Sequence, residues 1–169
     1  MKWFFRQGTA ADVKDVFRLI QKRIKWMDEK DLRQWNTSGY LETYPIEHYT
    51  EQQQLGNLFL LENEAGQIIA AVVLYRQNRR WADHPDSPAY YVHHLVTDPD
   101  ISGAGAHLLE QCEQMAACSG IGFVRLDCAA DNDILKQYYL DLGYSPVGIC
   151  QDGKYRGYRF EKQIQFLPV

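Results

Sequence analysis

Three short segments in the second half of this chain carry residue types able to bind an anion and to move protons. The first, Asp100-Ile101-Ser102-Gly103-Ala104-Gly105, is a glycine turn feeding a helix read from about Ala106 to Cys118. A helix N-terminus reached through such a turn offers unpaired backbone N–H groups and a positive dipole end to an anion such as a pyrophosphate. The second segment, Tyr91-Val92-His93-His94-Leu95-Val96-Thr97, reads as a strand. Alternation places Tyr91, His93, Leu95 and Thr97 on one face and Tyr90, Val92, His94 and Val96 on the other. An imidazole with a pKa of about 6.5 can accept a proton near neutral pH, so His93 and His94 are candidate bases. Tyr91 ordering a water is the alternative.

The third segment runs from Asp131-Asn132 to Tyr138-Tyr139 and Leu142-Gly143-Tyr144. A phenol with a pKa of about 10 stays protonated at neutral pH and can donate its proton. Neighbouring helical residues point about 100° apart, so the two tyrosines cannot share a role. Ile134, Leu135, Tyr138 and Leu142 form a core stripe that leaves Tyr139 for chemistry, and simple packing of both tyrosines is the competing reading. Asn132 suits a helix N-cap.

The rest of the chain must position these segments. Phe4-Phe5-Arg6 reads as a first strand, and Thr9 or Asp12 as the cap of a helix carrying Val13, Val16, Phe17, Ile20 and Ile24 at helical spacing. From Trp26 to Tyr49 the pattern turns aromatic and polar, with a second helix around Ile46 to Gln54. Leu58 to Leu61 and Ile68 to Tyr75, joined by Asn63-Glu64-Ala65-Gly66, have a hairpin signature. Arg79 to Pro88 is a polar loop. Val147 to Cys150 and Tyr155 to Ile164 read as two final strands around Asp152-Gly153.

At 169 residues, 46% hydrophobic and 24% charged, the chain is expected to form one globular domain spanning 1–169. A net charge of −4 argues against a nucleic-acid binder. The longest apolar run, Ile68 to Leu74, is too short to span a bilayer, so no membrane partner is expected. Met1-Lys2-Trp3-Phe4-Phe5 passes at once into Arg6 and Gln7, which is no signal region and makes a cytoplasmic location the expectation. Cys112, Cys118, Cys128 and Cys150 have neither CxxC nor zinc-finger spacing; they read as buried, reduced thiols, and no metal is expected.

The order and spacing from Tyr90 to Tyr144 resemble the GNAT family of acyl-CoA-dependent N-acetyltransferases, and the element order extends the resemblance over nearly the whole chain. The implied fold is α/β: a central mixed, largely antiparallel sheet, splayed between its fourth and fifth strands and flanked by helices on both faces. The implied reaction is acetyl transfer from acetyl-CoA to a primary amine, on a small molecule, by direct attack on the thioester. A non-catalytic acyl-CoA-binding or regulatory module on the same fold is the alternative, and a monomer or homodimer the expected state. By resemblance, Ile101, Ser102, Gly103, Ala104, Gly105 and Ala106 hold the pyrophosphate. Leu95, Val96 and Thr97 hold the acetyl carbonyl and pantetheine arm, Asn132 lies near the pantetheine, and Tyr139 is the general acid beside the cofactor. His93 falls in register with the family's base.

Trp26, Trp35, Tyr44, Trp81 and Tyr91, with Tyr40 and His48 among them, would line the acceptor side, and Asp127 would either orient an amine or simply end its strand. The chain departs from the family's Q/R-x-x-G-x-G/A pattern at Asp100, where a carboxylate replaces Arg or Gln and would repel a pyrophosphate. A Rossmann reading of the same turn fails, because Leu108 stands at the third glycine of G-x-G-x-x-G.

Overall fold

The computed structural model describes residues 1–166. Seven strands form one sheet in the order β1-β2-β3-β4-β5-β7-β6. They are β1 (Trp3–Gln7), β2 (Leu58–Asn63), β3 (Ile68–Tyr75), β4 (Ala89–Thr97), β5 (Phe123–Ala129), β6 (Ser145–Asp152) and β7 (Tyr155–Gln163). The helices are α1 (Val13–Glu29), α2 (Tyr40–Thr43), α3 (Ile46–Gln54), α4 (Ala104–Cys118) and α5 (Asp133–Asp141). The described residues divide into two compact units, Met1–Val73 with His94–Leu109, and Leu74–His93 with residues 110–166.

The first unit grows from the β1-β2-β3 meander. Phe5 faces Leu61 across β1 and β2 and stacks on Phe59 at 5.7 Å. The β2–β3 turn closes as expected: the Asn63 side-chain oxygen accepts from the Ala65 and Gln67 N–H groups. From Ile68 to Leu74 every β3 residue is buried, the continuous run of an interior strand. On α1, Val13, Val16, Leu19, Ile20 and Met27 form the buried stripe. Its entry is fixed by Asp12, whose carboxylate accepts from the Thr9 N–H and hydroxyl and from both terminal nitrogens of Arg6. Thr9 stands at the N-cap of the short turn Ala10–Asp12 that leads into α1, and Asp12 answers it in a capping box.

In the second unit β4 and β5 run parallel, pairing only over Ala89–Tyr91 and Phe123–Arg125. Strands of nine and seven residues thus share three paired positions, the short contact that a splayed pair has. β5 then pairs antiparallel with β7, and β7 with β6 through the Asp152–Tyr155 hairpin. Arg125 of β5 is enclosed: its Nε reaches Glu161 at 3.0 Å, its Nη1 the Tyr91 hydroxyl at 3.1 Å, and its guanidinium lies against Trp81 and Phe123.

Cys112, Cys128 and Cys150 are buried free thiols, whereas Cys118, expected inside, is exposed near the end of α4. Among the described residues no helix is long and apolar enough to cross a membrane, and no group of three or more His, Cys, Asp or Glu could hold a metal ion.

Candidate active site

The glycine turn starts α4 two residues earlier than expected, at Ala104. Gly103 makes this possible: with φ +84 it sits in the left-handed region that side chains rarely adopt, and it reverses the chain into the helix. The first amide bonded within this turn of helix is His107 N–H, which donates to the Gly103 carbonyl at 3.1 Å. The amides of Ala104, Gly105 and Ala106 therefore precede the helical ladder, as anion binding requires. A Cβ built on Gly103 would meet nothing within 4 Å, so the glycine is called for by its backbone conformation and not by lack of room. These features fit a phosphate-bearing cofactor. Ile101 differs from its expected place in the cradle, because its N–H is spent on the Asp98 carbonyl inside the turn.

Asp100 is turned to Lys22 of α1. The Lys22 ammonium lies 2.8 Å from Asp100 and 2.7 Å from Asp98, whose Oδ1 also accepts the Asp100 N–H. Burial alone would raise the Asp98 carboxyl, but Lys22 and that N–H outweigh it and hold it below the usual carboxylate range. The lysine thus answers the carboxylate that breaks the family pattern, a contact invisible in sequence because 78 positions separate Lys22 from Asp100 (100 − 22). The hydroxyl of Thr97 is likewise taken, accepting from Arg23 of α1.

Asp100→Arg should tighten acetyl-CoA binding about tenfold, which is about 1.4 kcal/mol, because Lys22 offsets the exposed Asp100 charge only in part and the exchange sets an added cation beside the turn. Calorimetric titration of both proteins measures it. An unchanged Kd would mean that residue 100 does not sense the phosphates.

The two β4 imidazoles part company. His94 has φ +51, a left-handed conformation within a strand, so period-two alternation does not carry across it. The expected shared face of Tyr91, His93, Leu95 and Thr97 is broken at this residue. A non-glycine residue held there costs about 1–3 kcal/mol, and such strain concentrates at functional positions. His94 Nδ1 hydrogen-bonds the Tyr40 hydroxyl, and its Nε2 lies 3.2 Å from His48 Nε2. The Tyr40 and Tyr49 hydroxyls are 2.9 Å apart, and the Tyr44 ring packs edgewise on His94 at 4.4 Å.

His93 belongs to the other unit, packed against Tyr75. Asn78 caps the Arg79–Trp81 turn by accepting the Arg80 N–H on Oδ1, which leaves its Nδ2 to donate to His93 Nε2 at 2.7 Å. That lone pair of His93 is therefore committed to an amide donor, and protonation there would set N–H against N–H. The geometry gives no support to the base role expected from register.

On α5 the expected stripe holds only in part: Leu135, Tyr138 and Leu142 are half-buried. Ile134, assigned to the core stripe, is 77% exposed, and Tyr139 is the buried tyrosine at 8%. Its ring packs against Phe160 at 5.7 Å and Tyr144 at 6.1 Å, while Tyr138 is half-buried. Burial pushes the Tyr139 phenol well above its ordinary pKa, so it stays protonated throughout the neutral range. Asn132 caps α5, its side-chain oxygen accepting from the Leu135 N–H at 3.0 Å.

The residues expected on the acceptor side separate into two kinds. Trp35 stacks on Tyr40 at 4.3 Å, and Tyr44 joins the same cluster. Trp26 lies apart from these contacts, under the Arg23 guanidinium. Trp81, by contrast, is 2% exposed and clasped between the guanidiniums of Arg125 and Arg159, and Tyr91 is buried beside it. Asp127 is not presented to an amine: it accepts from Arg80 at 3.1 Å and from the Tyr155 hydroxyl at 2.5 Å. Trp81, Tyr91 and Asp127 are explained by packing and ion pairing within the second unit. The residues that sequence reasoning missed, Lys22, Arg23 and Arg80, are cations paired to partners far along the chain.

The chain belongs to the acetyltransferase (GNAT) family, whose model matches residues 20–144, and it is accordingly an acyltransferase of the N-acetyl type. It is 28% identical over 166 residues to the uncharacterized N-acetyltransferase YesJ of Bacillus subtilis (strain 168), covering 90% of this chain and 86% of that protein. A GNAT family acetyltransferase of Listeria monocytogenes 4b F2365 superposes with a TM-score of 0.80 at 23% identity, covering 96% of this chain and 95% of that one. The PaiA N-acetyltransferase of Thermoplasma acidophilum, solved in complex with coenzyme A, superposes with a TM-score of 0.74 at 16% identity, covering 96% and 99%.

Proposed function

We propose that this enzyme acetylates the primary amine of a small molecule, with acetyl-CoA as donor and no covalent enzyme intermediate. The observation that carries the reading is the glycine turn at the head of α4. There Gly103 turns the chain into the helix, the amides of Ala104 to Ala106 precede the helical ladder, and Lys22 draws off part of the Asp100 charge. The CoA-bound Thermoplasma relative supports the choice of donor.

In this reading the turn holds the pyrophosphate, and backbone groups at Leu95, Val96 and Thr97 hold the acetyl carbonyl and pantetheine. Asn132 lies near the pantetheine. The amine nitrogen forms a bond to the acetyl carbon as the carbon–sulfur bond breaks. An ammonium has no lone pair to attack with, so a base must first remove a proton. Tyr139, kept protonated by burial, gives its proton to the departing thiolate. Direct attack also suits the thiols: burial pushes Cys112 and Cys128 up to about 12, which leaves them poor nucleophiles. The aromatic cluster of Trp35, Tyr40 and Tyr44 suits a flat or cationic acceptor.

Calorimetry with acetyl-CoA, CoA and NAD, followed by turnover over a panel of small amines and N-terminal peptides, tests the proposal. Micromolar binding of the CoA species without NAD, and acetylation of small amines, is the expected result. Absence of CoA binding defeats the donor assignment, and turnover of peptides alone replaces the small-molecule acceptor by a protein one.

A further inference from the structure

We propose that His48 of α3 is the proton acceptor for the attacking amine, and that His94 of β4 holds it in the reactive tautomer through a chain running on to Tyr40 and Tyr49. The inference rests on the acetyl-transfer reading above. All four side chains belong to the first unit.

Two imidazole nitrogens facing each other at 3.2 Å are bridged by a single proton, one ring donating and the other accepting. His94 is engaged at both nitrogens, by His48 at Nε2 and by Tyr40 at Nδ1. His48 is engaged only at Nε2; its Nδ1 has no hydrogen-bond partner among the described residues, and its side chain is half-buried. One arrangement satisfies these three hydrogen bonds and leaves a lone pair on His48 for chemistry. His48 Nε2–H donates to His94 Nε2, His94 Nδ1–H to the Tyr40 oxygen, and Tyr40 O–H to the Tyr49 oxygen. His48 Nδ1 then carries the only uncommitted imidazole lone pair of the cluster.

The proton balance closes on this arrangement. The amine N–H proton passes to His48 Nδ1, and the nitrogen lone pair forms the bond to the acetyl carbon. The sulfur leaves with its bonding pair and is protonated by the general acid; His48 then releases its proton to solvent and the general acid takes one back from solvent, so that amine and thioester become amide and thiol with no net change in protons. While charged, His48 donates into a row of aligned hydrogen bonds. The pair accepts one positive charge but not two, because a second would place N–H against N–H across 3.2 Å.

The groups facing His48 are His94 from β4, Tyr44 at 5.0 Å, and Tyr49 and Glu51 from its own helix. Burial lowers the His48 pKa and Glu51 opposes this; the net direction is down. The base is therefore neutral and ready at physiological pH. Its kcat/KM rises as pH climbs through the His48 pKa and is lost below it.

Two measurements on the full chain decide the matter. Nitrogen-detected NMR of the histidine rings, assigned with His48→Gln and His94→Gln, should find His48 as the Nε2–H tautomer titrating below the ordinary imidazole range. In His94→Gln that tautomer preference should weaken and the midpoint move. An Nδ1–H tautomer, or a titration indifferent to His94, overturns the pairing. With an accepted amine, His48→Gln should lower kcat/KM about 100-fold and erase its acidic limb. His94→Gln should shift the limb with a smaller loss, and both should keep the wild-type affinity for acetyl-CoA. A His48→Gln enzyme with normal rate and limb overturns the catalytic role. Wild-type protein that binds acetyl-CoA yet turns over no amine defeats the acetyl-transfer reading and the catalytic role with it. The ring titration still judges the His48–His94 pair.

Discussion

Arg125→Ala should cost about 2–5 kcal/mol of folding stability, the range for truncating a large buried side chain to alanine. The side chain is 1% exposed in the second unit, and three different interactions converge on it. Its Nε holds Glu161, its Nη1 serves the Tyr91 hydroxyl, and its flat guanidinium lies 4.9 Å from the Trp81 ring and 4.8 Å from that of Phe123. Alanine leaves Glu161 without this cation, removes the donor to Tyr91 and opens a cavity beneath Trp81. Arg125→Met refills much of the volume with an apolar chain and should recover a large part of the loss, since an apolar isostere spares the cost of desolvating charge. Urea unfolding of the three proteins gives the comparison. A loss below about 1 kcal/mol for alanine would mean that the guanidinium barely repays its own burial.

What could be read in the sequence was whatever depends on near neighbours. The α1 stripe and the β2–β3 turn follow from spacing and turn chemistry within a few residues, and α3 occupies Ile46–Gln54 as expected. The glycine turn was legible because a helix start needs only a local signal. Three features were not. The left-handed His94 breaks the strand's alternation, and nothing in Tyr91 to Thr97 announces a residue with φ +51. In α5 a nine-residue helix has too few turns to fix its rotational phase from apolar spacing, so Ile134 was given the burial that belongs to Tyr139. Asp127 invited a substrate role because its neutralising partners, Arg80 and Tyr155, arrive from a loop and a strand distant in sequence. Long-range charge pairing leaves no periodic trace, and it decides which polar residues remain available for chemistry.

Tyr139→Phe should lower kcat about 10- to 100-fold while leaving acetyl-CoA affinity and thermal stability near wild type. The substitution removes one hydroxyl and keeps the ring that packs on Phe160 and Tyr144, so a structural role alone would hardly register in turnover. Burial keeps the phenol protonated, with Cys128, Tyr138 and Asp127 adding to the same effect, so its proton is retained across the neutral range. A thiol has a pKa of about 8.5 and its thiolate can leave unaided as the medium becomes basic. The deficit of the phenylalanine enzyme should therefore shrink as pH rises. Tyr138→Phe is the matched control: it alters the half-buried neighbour and should keep turnover within about twofold of wild type, because side-chain changes away from the reacting atoms rarely reach the barrier. Equal losses from both substitutions would mean that the tyrosines act by packing α5, whereas normal kcat in Tyr139→Phe would remove the phenol from the mechanism and leave solvent as the source of the proton.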